Sequence, residues 1–291
     1  MSKHAMRIME HNQFNILEKL MRQLDHADND IFIHVDKKAK DFDQHYFEQI
    51  CVKSSVTFIP RMRVYWGHSS IVECELRLLE AALKEEKSYS YYHLLSGVDL
   101  QIKSNEVIHD FFDKHPDRQF LALRNTYSGI RGMSLYYLFG WLRAYNRYLA
   151  KGLETISLAV QTKILKVNRL KNVNYGICKS QQWFSITQEF ARYVVEQRPF
   201  IEDFVRFTSC SDEMFLGTVL VNSPFKDQLF LEYDRTGNHV RLIDRDRAEG
   251  ASPHTWLMED WEIIEKSPYF WARKFDMNKD SEIIEKITNV W

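Results

Sequence analysis

Two adjacent carboxylates, Asp212 and Glu213, stand where the sequence predicts the first turn of a helix. A small polar turn precedes them, and apolar residues follow at the spacing of one buried helical face: Phe215, Leu216, Val219 and Leu220. Ser209 or Ser211 can cap the exposed amides, and the helix dipole favours the two negative charges. A carboxylate fixed at a helix mouth can act as a base. A helix start with acidic capping residues explains the same pattern.

The elements that must position these carboxylates alternate between strand and helix. Strands are predicted at residues 5–9, 30–36, 56–60, 91–99, 120–123, 182–186 and 239–244, and helices at residues 12–24, 71–83, 105–115, 187–197, 209–220 and 257–266. The apolar run at residues 31–35 is typical of a parallel strand that is covered on both faces. The sequence therefore predicts an α/β fold with a mostly parallel twisted sheet flanked by helices.

Polar residues follow three of the predicted strands, at residues 10–12, 36–38 and 96–99. Ligands in such sheets bind beyond the carboxyl ends of the strands, so Asp36 and nearby backbone groups are candidates for holding a nucleotide. Neither a GxGxxG nor a GxxxxGK[ST] pattern follows any of these strands, which removes the main support for dinucleotide and P-loop sites. Acidic residues that simply end strands in solvent remain the alternative.

Residues 131–171 are basic and aromatic. The basic residues are Arg131, Arg143, Arg147, Lys151, Lys163, Lys166, Arg169 and Lys171, and Glu154 is the one acid among them. Such a segment predicts contact with an anionic membrane or a phosphate-bearing acceptor. A solvated basic face over an aromatic core is the alternative. Nucleic acid is not expected as a partner, because the formal net charge of the chain is −1.

Composition describes an ordinary globular protein. The chain has 291 residues, of which 45% are apolar and 27% charged. No signal-peptide-like run and no apolar stretch of membrane-spanning length occurs in the sequence, so we expect an intracellular protein without a span. The 4 cysteines are far apart, which argues against a zinc site or a disulfide framework.

A D-x-D pattern occurs at Asp244-Arg245-Asp246, after an apolar run. This pattern binds metal and diphosphate in many sugar-transferring enzymes. It is short enough to arise by chance in a chain with 40 acidic residues, and it lies late in the sequence. We therefore expect no metal here.

Several short motifs, in order over nearly the whole chain, resemble one family. They are Ile31-Phe32-Ile33-His34-Val35-Asp36, Trp66-Gly67-His68-Ser69, Leu94-Leu95-Ser96-Gly97-Val98-Asp99-Leu100-Gln101-Ile102-Lys103, Gln182-Trp183-Phe184-Ser185-Ile186-Thr187, Ser211-Asp212-Glu213 and Ala272-Arg273-Lys274-Phe275-Asp276. The sequence resembles glycosyltransferase family 14, which contains the core-2/I-branching N-acetylglucosaminyltransferases and the peptide O-xylosyltransferases. It looks like a bacterial-type soluble member.

The resemblance implies a GT-A-like fold and an inverting, metal-independent transfer from a UDP-sugar to a glycan hydroxyl. It makes Glu213 the general base and places Arg241 and Lys274 on the diphosphate. It assigns nucleotide binding to His11, Asp36, Trp66 and Gly67, and the donor or acceptor pocket to Asp99, Trp183 and Asp212. Asp212 would be a cap or an orienting group. The UDP-sugar is a co-substrate, and no cofactor or metal is expected.

The sequence departs from the family pattern in two places. Cys210-Ser211 replaces a frequent Ser-Pro, and Ser180-Gln181-Gln182-Trp183 replaces a Gly-Ser-Gln-Trp on the acceptor side. The anchor and lumenal cysteines of the animal members are absent, so we expect a cytoplasmic enzyme, peripheral on the inner face of the cell membrane, acting on a lipid-linked or surface-polysaccharide precursor.

We expect a single catalytic domain over residues 1–291. Residues 1–125 would form a nucleotide-binding half and residues 126–291 an acceptor-binding and catalytic half, with the basic aromatic insertion at about residues 129–172. UDP-N-acetylglucosamine is the expected donor. UDP-xylose, UDP-glucose and UDP-galactose are alternatives, and so is a protein that binds glycan or membrane without catalysis.

Overall fold

The computed structural model describes residues 2–124, 130–233, 238–248, 250 and 252–291. The predicted boundary between the two halves and the first residue of the basic aromatic insertion, Gly129, lie outside the described residues. The strands are β1 (His4–Glu10), β2 (Asn29–Val35), β3 (Ser55–Phe58), β4 (Tyr91–Ser96), β5 (Asp99–Gln101), β6 (Leu123–Arg124), β7 (Lys179–Ser180), β8 (Ser185–Thr187), β9 (Arg241–Ile243) and β10 (Trp271–Arg273).

Helices flank these strands. The α-helices are α1 (Phe14–Leu24), α2 (Gln44–Glu48), α3 (Ser70–Leu83), α4 (Asn105–Asp113), α5 (Ile130–Ser134), α6 (Arg147–Lys163), α7 (Gln188–Glu196), α8 (Arg198–Val205), α9 (Phe215–Val221), α10 (Trp261–Glu265) and α11 (Ser281–Val290). Short 3₁₀ turns occupy Gly140–Ala144, Ser211–Glu213, Lys226–Gln228 and Met258–Asp260. Within the described residues, no helix has both the length and the apolar character needed to cross a bilayer.

The main sheet has five strands in the order β3-β2-β1-β4-β8. Its first four strands are parallel, and β8 pairs with β4 in the antiparallel direction. The predicted α/β fold with a mostly parallel sheet is therefore confirmed. Strands β2 and β4 are buried at every position, because helices cover both faces of the sheet.

Each face of the main sheet has its own apolar cluster. One cluster packs Leu17 of α1, Phe112 of α4 and Ile284 of α11 on one face, and the other packs Leu79 of α3 and Phe190 of α7 on the opposite face. A helix on each side leaves the carboxyl ends of β1, β2 and β4 open at one edge, where loops can form a site.

A second sheet brings the late part of the chain to that edge. Its order is β5-β10-β9, and its register places Arg273 opposite Asp99 on one side and beside Ile243 on the other. The residues after β9 and β10 are therefore held near the end of β4.

Several predicted elements differ from the structure. The predicted strand at residues 91–99 is divided into β4 and β5, and the predicted strand at residues 120–123 overlaps β6 only at Leu123. The predicted helix at residues 209–220 is broken: Cys210 is left-handed with φ 54°, Ser211–Glu213 forms a 3₁₀ turn without a side-chain cap, and the α-helix begins at Phe215. The predicted strand at residues 182–186 becomes the later, antiparallel β8. The predicted helix at residues 257–266 begins as a 3₁₀ turn before α10.

Candidate active site

A cavity of about 490 Å³ opens at the carboxyl ends of the central strands. Its wall contains residues from eight parts of the chain: His11, Asn12 and Gln13; Trp66, Gly67 and Ile71; Val98; Gln182 and Trp183; Cys210, Asp212 and Glu213; Arg245; Ser252 and Pro253; and Arg273, Lys274, Phe275 and Asp276. A smaller cavity of about 240 Å³ adjoins it and shares His11, Trp66 and Arg273. Loops from both ends of the sequence thus form one cleft.

Glu213 reaches this cleft because α9 packs closely on β7. A Cβ added to Gly217 of α9 would lie 2.9 Å from the Cys178 carbonyl oxygen, and the Thr218 hydroxyl accepts a hydrogen bond from the Cys178 N–H at 3.1 Å. The close approach brings Glu213 to Lys179, and their side chains form an ion pair of 2.9 Å. The Glu213 carboxylate is thereby held at the wall of the cavity.

Asp212 is the more buried of the two adjacent carboxylates. Its Oδ1 atom is buried and has no hydrogen-bond partner among the described residues. Burial, and then the charge of Glu213, raises the pKa of Asp212 to about 6. Behind it the fully buried Glu75 accepts a hydrogen bond from Gln182 Nε2 at 2.9 Å. Burial, reinforced by the charge of Asp212, raises the pKa of Glu75 well above its ordinary value. Asp212 therefore lines the cavity on one side and interacts with the buried Glu75 on the other.

Arg273 is a cation of the wall that contacts of its side chain hold in place. Its guanidinium donates to Asp99 Oδ1 at 2.8 Å and to the Ser96 hydroxyl, and it lies 4.2 Å from the centre of the Trp183 ring. Asp99, predicted to line the pocket, instead lies buried behind Arg273 and does not line either cavity. The register that pairs β5 with β10 brings the two together, and Asp99 acts by orienting a cation.

Arg245 and Lys274 complete the cationic wall. Burial lowers the pKa of Arg245, and the charge of Glu213 acts in the opposite direction. The two carboxylates of the D-x-D pattern that flank Arg245 do not line the cavity. Asp244 instead accepts hydrogen bonds from the backbone N–H groups of Asp246 and Arg247, as in a turn. The middle residue of this pattern therefore faces the site.

Arg241 does not reach the cavity, and its predicted place on the diphosphate is wrong for this structure. Only 2% of the residue is exposed. Its guanidinium donates to the Ser185 hydroxyl and to the carbonyls of Phe184 and Leu94, and it stacks on Trp271 at 4.8 Å. Burial lowers its pKa to about 9. Arg241 therefore links the two sheets. It does not face the cleft, because β9 lies one strand further from the cleft than β10.

The predicted nucleotide-binding residues lie around the shared edge of the two cavities. His11 and Trp66 line both, and Gly67, with φ +68°, lines the larger one. Asp36 lines the smaller cavity, where its side chain accepts from the Lys38 N–H and pairs with the Lys38 ammonium at 3.3 Å. Burial, and then the charge of Arg273, lowers the pKa of His11. The structure brings these four residues together.

Glu10 is a buried acid at the end of β1 that sequence reasoning did not select. It lines the smaller cavity, and its Oε1 accepts hydrogen bonds from the N–H groups of His11 and Asn12. Its Oε2 lies against Gly97, where an added Cβ would coincide with it, and has no partner among the described residues. Burial raises the pKa of Glu10 to about 8.

Sequence reasoning also missed Arg245, Arg273, Lys179 and Gln182 as wall or partner residues. A signal existed for Arg273, since it precedes Lys274 in the motif Ala272-Arg273-Lys274-Phe275-Asp276. The D-x-D pattern specifies only its two aspartates and not Arg245 between them, and Lys179 lies in no motif. Among the described residues, no group of three or more His, Cys, Asp or Glu side chains is arranged to hold a metal ion.

Comparisons with known proteins point to one family. Residues 6–266 match the sequence model of the Core-2/I-Branching enzyme family. Xylosyltransferase 2 of Rattus norvegicus is 24% identical to the chain, over 92% of this chain and 31% of that protein. Xylosyltransferase 1 of Homo sapiens is 23% identical, over 93% of this chain and 28% of that protein. The chain thus spans less than a third of the length of these relatives.

A solved structure also matches. Mouse xyloside xylosyltransferase 1 in its apo form aligns with 94% of this chain and 97% of its own, at 8% identity and a TM-score of 0.38. A TM-score this low supports no conclusion about the site. The family match, in contrast, covers most of the sequence, and the chain belongs to the core-2/I-branching enzyme family of glycosyltransferases.

Proposed function

We propose that the protein transfers N-acetylglucosamine from UDP-N-acetylglucosamine to a hydroxyl of a glycan acceptor, with inversion and without a divalent metal. One observation carries this proposal. The carboxylate of Glu213 and the cations of Arg245, Arg273 and Lys274 line the same cavity. A base and a cationic wall around one space are what an inverting displacement of a nucleoside diphosphate requires.

The displacement assigns a role to each side of the cavity. The acceptor oxygen attacks the anomeric carbon from the face opposite UDP, while the acceptor proton moves to the Glu213 carboxylate. The bond between the anomeric carbon and the diphosphate oxygen breaks, and UDP leaves with the electron pair. A single base is enough, because no covalent sugar intermediate forms.

The cationic wall supports the metal-independent form of this reaction. Negative charge develops on the leaving diphosphate, and fixed cations stabilise it as a bound Mg²⁺ does elsewhere. Arg245 and Arg273 offer planar guanidinium groups for bidentate contact, and Lys274 offers a point charge. The contact of Arg273 with Asp99 orients its guanidinium before a ligand arrives.

The names of the relatives favour a second donor. The most similar proteins reported above are called xylosyltransferases, so UDP-xylose is the main alternative to UDP-N-acetylglucosamine. UDP-glucose and UDP-galactose remain further alternatives, and a protein that binds glycan or membrane without catalysis is the alternative outside the enzyme class. Hydrolysis or transfer measured with a panel of these UDP-sugars separates the four donors and tests the non-catalytic alternative.

The acceptor we propose is a lipid-linked or surface-polysaccharide precursor at the inner face of the cell membrane. The enzyme would then be cytoplasmic and in peripheral contact with an anionic membrane. The exposed lysines of the basic aromatic segment support this placement.

The decisive experiment compares Glu213→Gln with the unchanged protein. We expect the substitution to lower kcat for sugar transfer by about 10²–10⁴, because a neutral amide cannot take the acceptor proton. UDP binding, measured by calorimetry, should change by less than about threefold, since the cationic wall is intact. The exposed Glu86→Gln serves as the matched control.

A chelator tests the metal-independent part separately. Transfer after dialysis against EDTA should equal transfer before it, because protein cations hold the diphosphate. A loss of turnover that Mg²⁺ or Mn²⁺ restores would overturn metal independence, and unchanged kcat in Glu213→Gln would overturn the assigned base.

A further inference from the structure

The outward face of α6 is apolar. Leu149, Ile156 and Val160 of α6 and Ile164, the residue that caps its C-terminus, recur at the spacing of one helical face, with exposed fractions of 53%, 64%, 37% and 71%. We call these four residues the outer stripe. Tyr145 and Tyr148, just before the stripe, are also exposed. A helix of a globular protein normally turns such a face to the core.

The inward face of α6 is held by polar contacts instead. The buried Glu154 accepts the Phe139 N–H at 2.8 Å, and the buried Gln161 accepts from the Tyr136 N–H and donates to its carbonyl at 2.8 and 2.7 Å. These contacts fix which side of the helix faces the protein. The outer stripe is therefore exposed because of the way α6 packs on the rest of the protein.

The exposed surface of α6 and of the residues just after it is positively charged. Lys151, Lys163, Lys166 and Lys171 are exposed on α6 and just after it. The acid of this segment, Glu154, is buried and faces inward, so it does not neutralise them at the surface. An apolar stripe bordered by lysines complements a surface with anionic groups above hydrocarbon.

We propose that the outer stripe of α6 and its flanking lysines dock the protein on an anionic lipid bilayer. The helix lies in the plane of the interface, with the outer stripe among the acyl chains and the lysine ammonium groups at the phosphates. A second copy of the chain fits this surface less well, because two such faces would bring like charges together.

The segment just before α6 lies close to the candidate active site. A cavity of about 230 Å³ is lined by Trp141, Phe207 and His68, and His68 follows Gly67 of the active-site wall. The Trp141 ring contacts that of Tyr145, with centroids 6.4 Å apart, just before α6. Docking by α6 would hold this side of the molecule near the membrane, where a lipid-linked acceptor would present its sugar; this consequence rests on the proposed function, whereas docking itself does not.

Vesicle sedimentation tests the docking directly. The unchanged protein should sediment with vesicles of phosphatidylglycerol and phosphatidylcholine, and not with phosphatidylcholine alone, at about 0.1 M salt. The triple variant Leu149→Gln, Ile156→Gln, Ile164→Gln should lower the partition coefficient by about tenfold or more. Lys163→Gln with Lys166→Gln should lower it too and weaken its dependence on salt.

The matched control changes three exposed apolar residues elsewhere, with the same chemistry: Val52→Gln, Val107→Gln and Val290→Gln. It should bind vesicles like the unchanged protein, and circular dichroism should show all variants folded. Absence of the unchanged protein from the pellet would overturn the proposal, as would unchanged binding of the outer-stripe variant. So would a dimer, seen by light scattering, that the outer-stripe variant alone dissociates.

Turnover on a soluble acceptor keeps the two proposals apart. The outer-stripe variant should retain it, because none of the three substituted residues lines the active-site cavity. If soluble-acceptor transfer is absent in every protein while vesicle binding follows the pattern above, the proposed function fails and the docking surface stands.

Discussion

Two single residues, Arg241 and Lys274, were both predicted to hold the diphosphate, but they lie in different surroundings. Arg241 is buried in the protein, and Lys274 faces the cavity. Arg241 donates to four acceptors inside the protein, the Ser185 hydroxyl and the carbonyls of His239, Leu94 and Phe184, whereas Lys274 lines the cavity. Loss of the first leaves buried oxygens without a donor. Loss of the second removes a positive charge that, under the proposed function, stabilises the leaving diphosphate. Their substitutions should therefore affect different measurements.

Lys274→Ala should lower kcat by about 10²–10³, by analogy with other single charge-stabilising groups, and should leave the free energy of unfolding within about 0.5 kcal/mol. Arg241→Met should lower the free energy of unfolding by about 1–3 kcal/mol, because the carbonyls of Phe184 and Leu94 lose their donor. Transfer kinetics and urea denaturation of both variants check this. Equal loss of stability in the two variants would contradict the placement of Lys274 on the cavity wall.

Glu10 makes a prediction about pH. Burial raises its pKa from 4.5 to about 8. Between these values the folded chain holds a proton that the unfolded chain has released, so the free energy of unfolding falls as pH rises through this range. Glu10→Gln cannot ionise, and its stability should fall less between pH 5 and pH 8. Urea denaturation at the two pH values measures the difference.

The exposed Glu196→Gln is the control for Glu10→Gln, and its stability should follow that of the unchanged protein at both pH values. A parallel pH dependence in Glu10→Gln and the unchanged protein would show that Glu10 already ionises in the folded state at low pH, against the burial of its side chain.

Residue types in short motifs were enough to select much of the cleft. Glu213, Lys274, Trp183, Gly67 and His11 line one cavity, as the motifs predict. Arg241 and Asp99 fail for a common reason: both lie at strand ends, and the sequence does not say which side of a strand faces the cleft. Lys179 could not be selected, since its ion pair with Glu213 depends on the packing of α9 against β7.

At the level of elements, the contact of α9 with β7 positions Glu213, the proposed general base. Gly217 allows this contact, because a side chain there would meet the Cys178 carbonyl and the Ser180 side chain at about 3 Å. By contrast, a Cβ added to Gly152 of α6 meets nothing within 4 Å. The two glycines form a matched pair for substitution by alanine.

Gly217→Ala should lower the free energy of unfolding by about 1–3 kcal/mol through overpacking, and should lower kcat as well, since Glu213 moves with α9. Gly152→Ala should raise the free energy of unfolding by about 0.5–1 kcal/mol, because alanine is the better helix former at an exposed position. Thermal denaturation and transfer kinetics measure both. Unchanged kcat in a destabilised Gly217→Ala would mean that the packing of α9 does not set the position of Glu213.

Strands with continuous apolar runs were predicted to within a few residues, as for β1, β2 and the start of β4. The start of the helix predicted at residues 209–220 was not predicted correctly. The spacing of the apolar residues does not indicate the left-handed Cys210 or the 3₁₀ turn that follows it. In α6, the periodicity indicates an apolar face but does not say whether that face is buried or exposed. Apolar faces usually pack on the core, but in α6 the polar Glu154 and Gln161 face the protein and the apolar face is exposed.

Over the whole molecule, the cleft joins distant parts of the sequence. Its wall runs from His11 after β1 to Lys274 and Asp276 after β10, and it includes Glu213 between them. The chain was predicted to be a single domain, with a nucleotide-binding half and a catalytic half, and this remains a prediction. A ligand that contacts both halves tests it, because it stabilises every unit that contributes to its site.

UDP should raise the melting temperature in a single transition. At a concentration of 100 times its Kd, it adds about 2.7 kcal/mol to the free energy of unfolding, which corresponds to roughly 4 °C for a chain of this size. Differential scanning calorimetry with and without UDP measures the shift, and Lys274→Ala at the same concentration should show a smaller one, because its Kd is higher. Two transitions, of which UDP moves one, would show that residues before and after the predicted boundary unfold independently and that one of them alone holds the nucleotide.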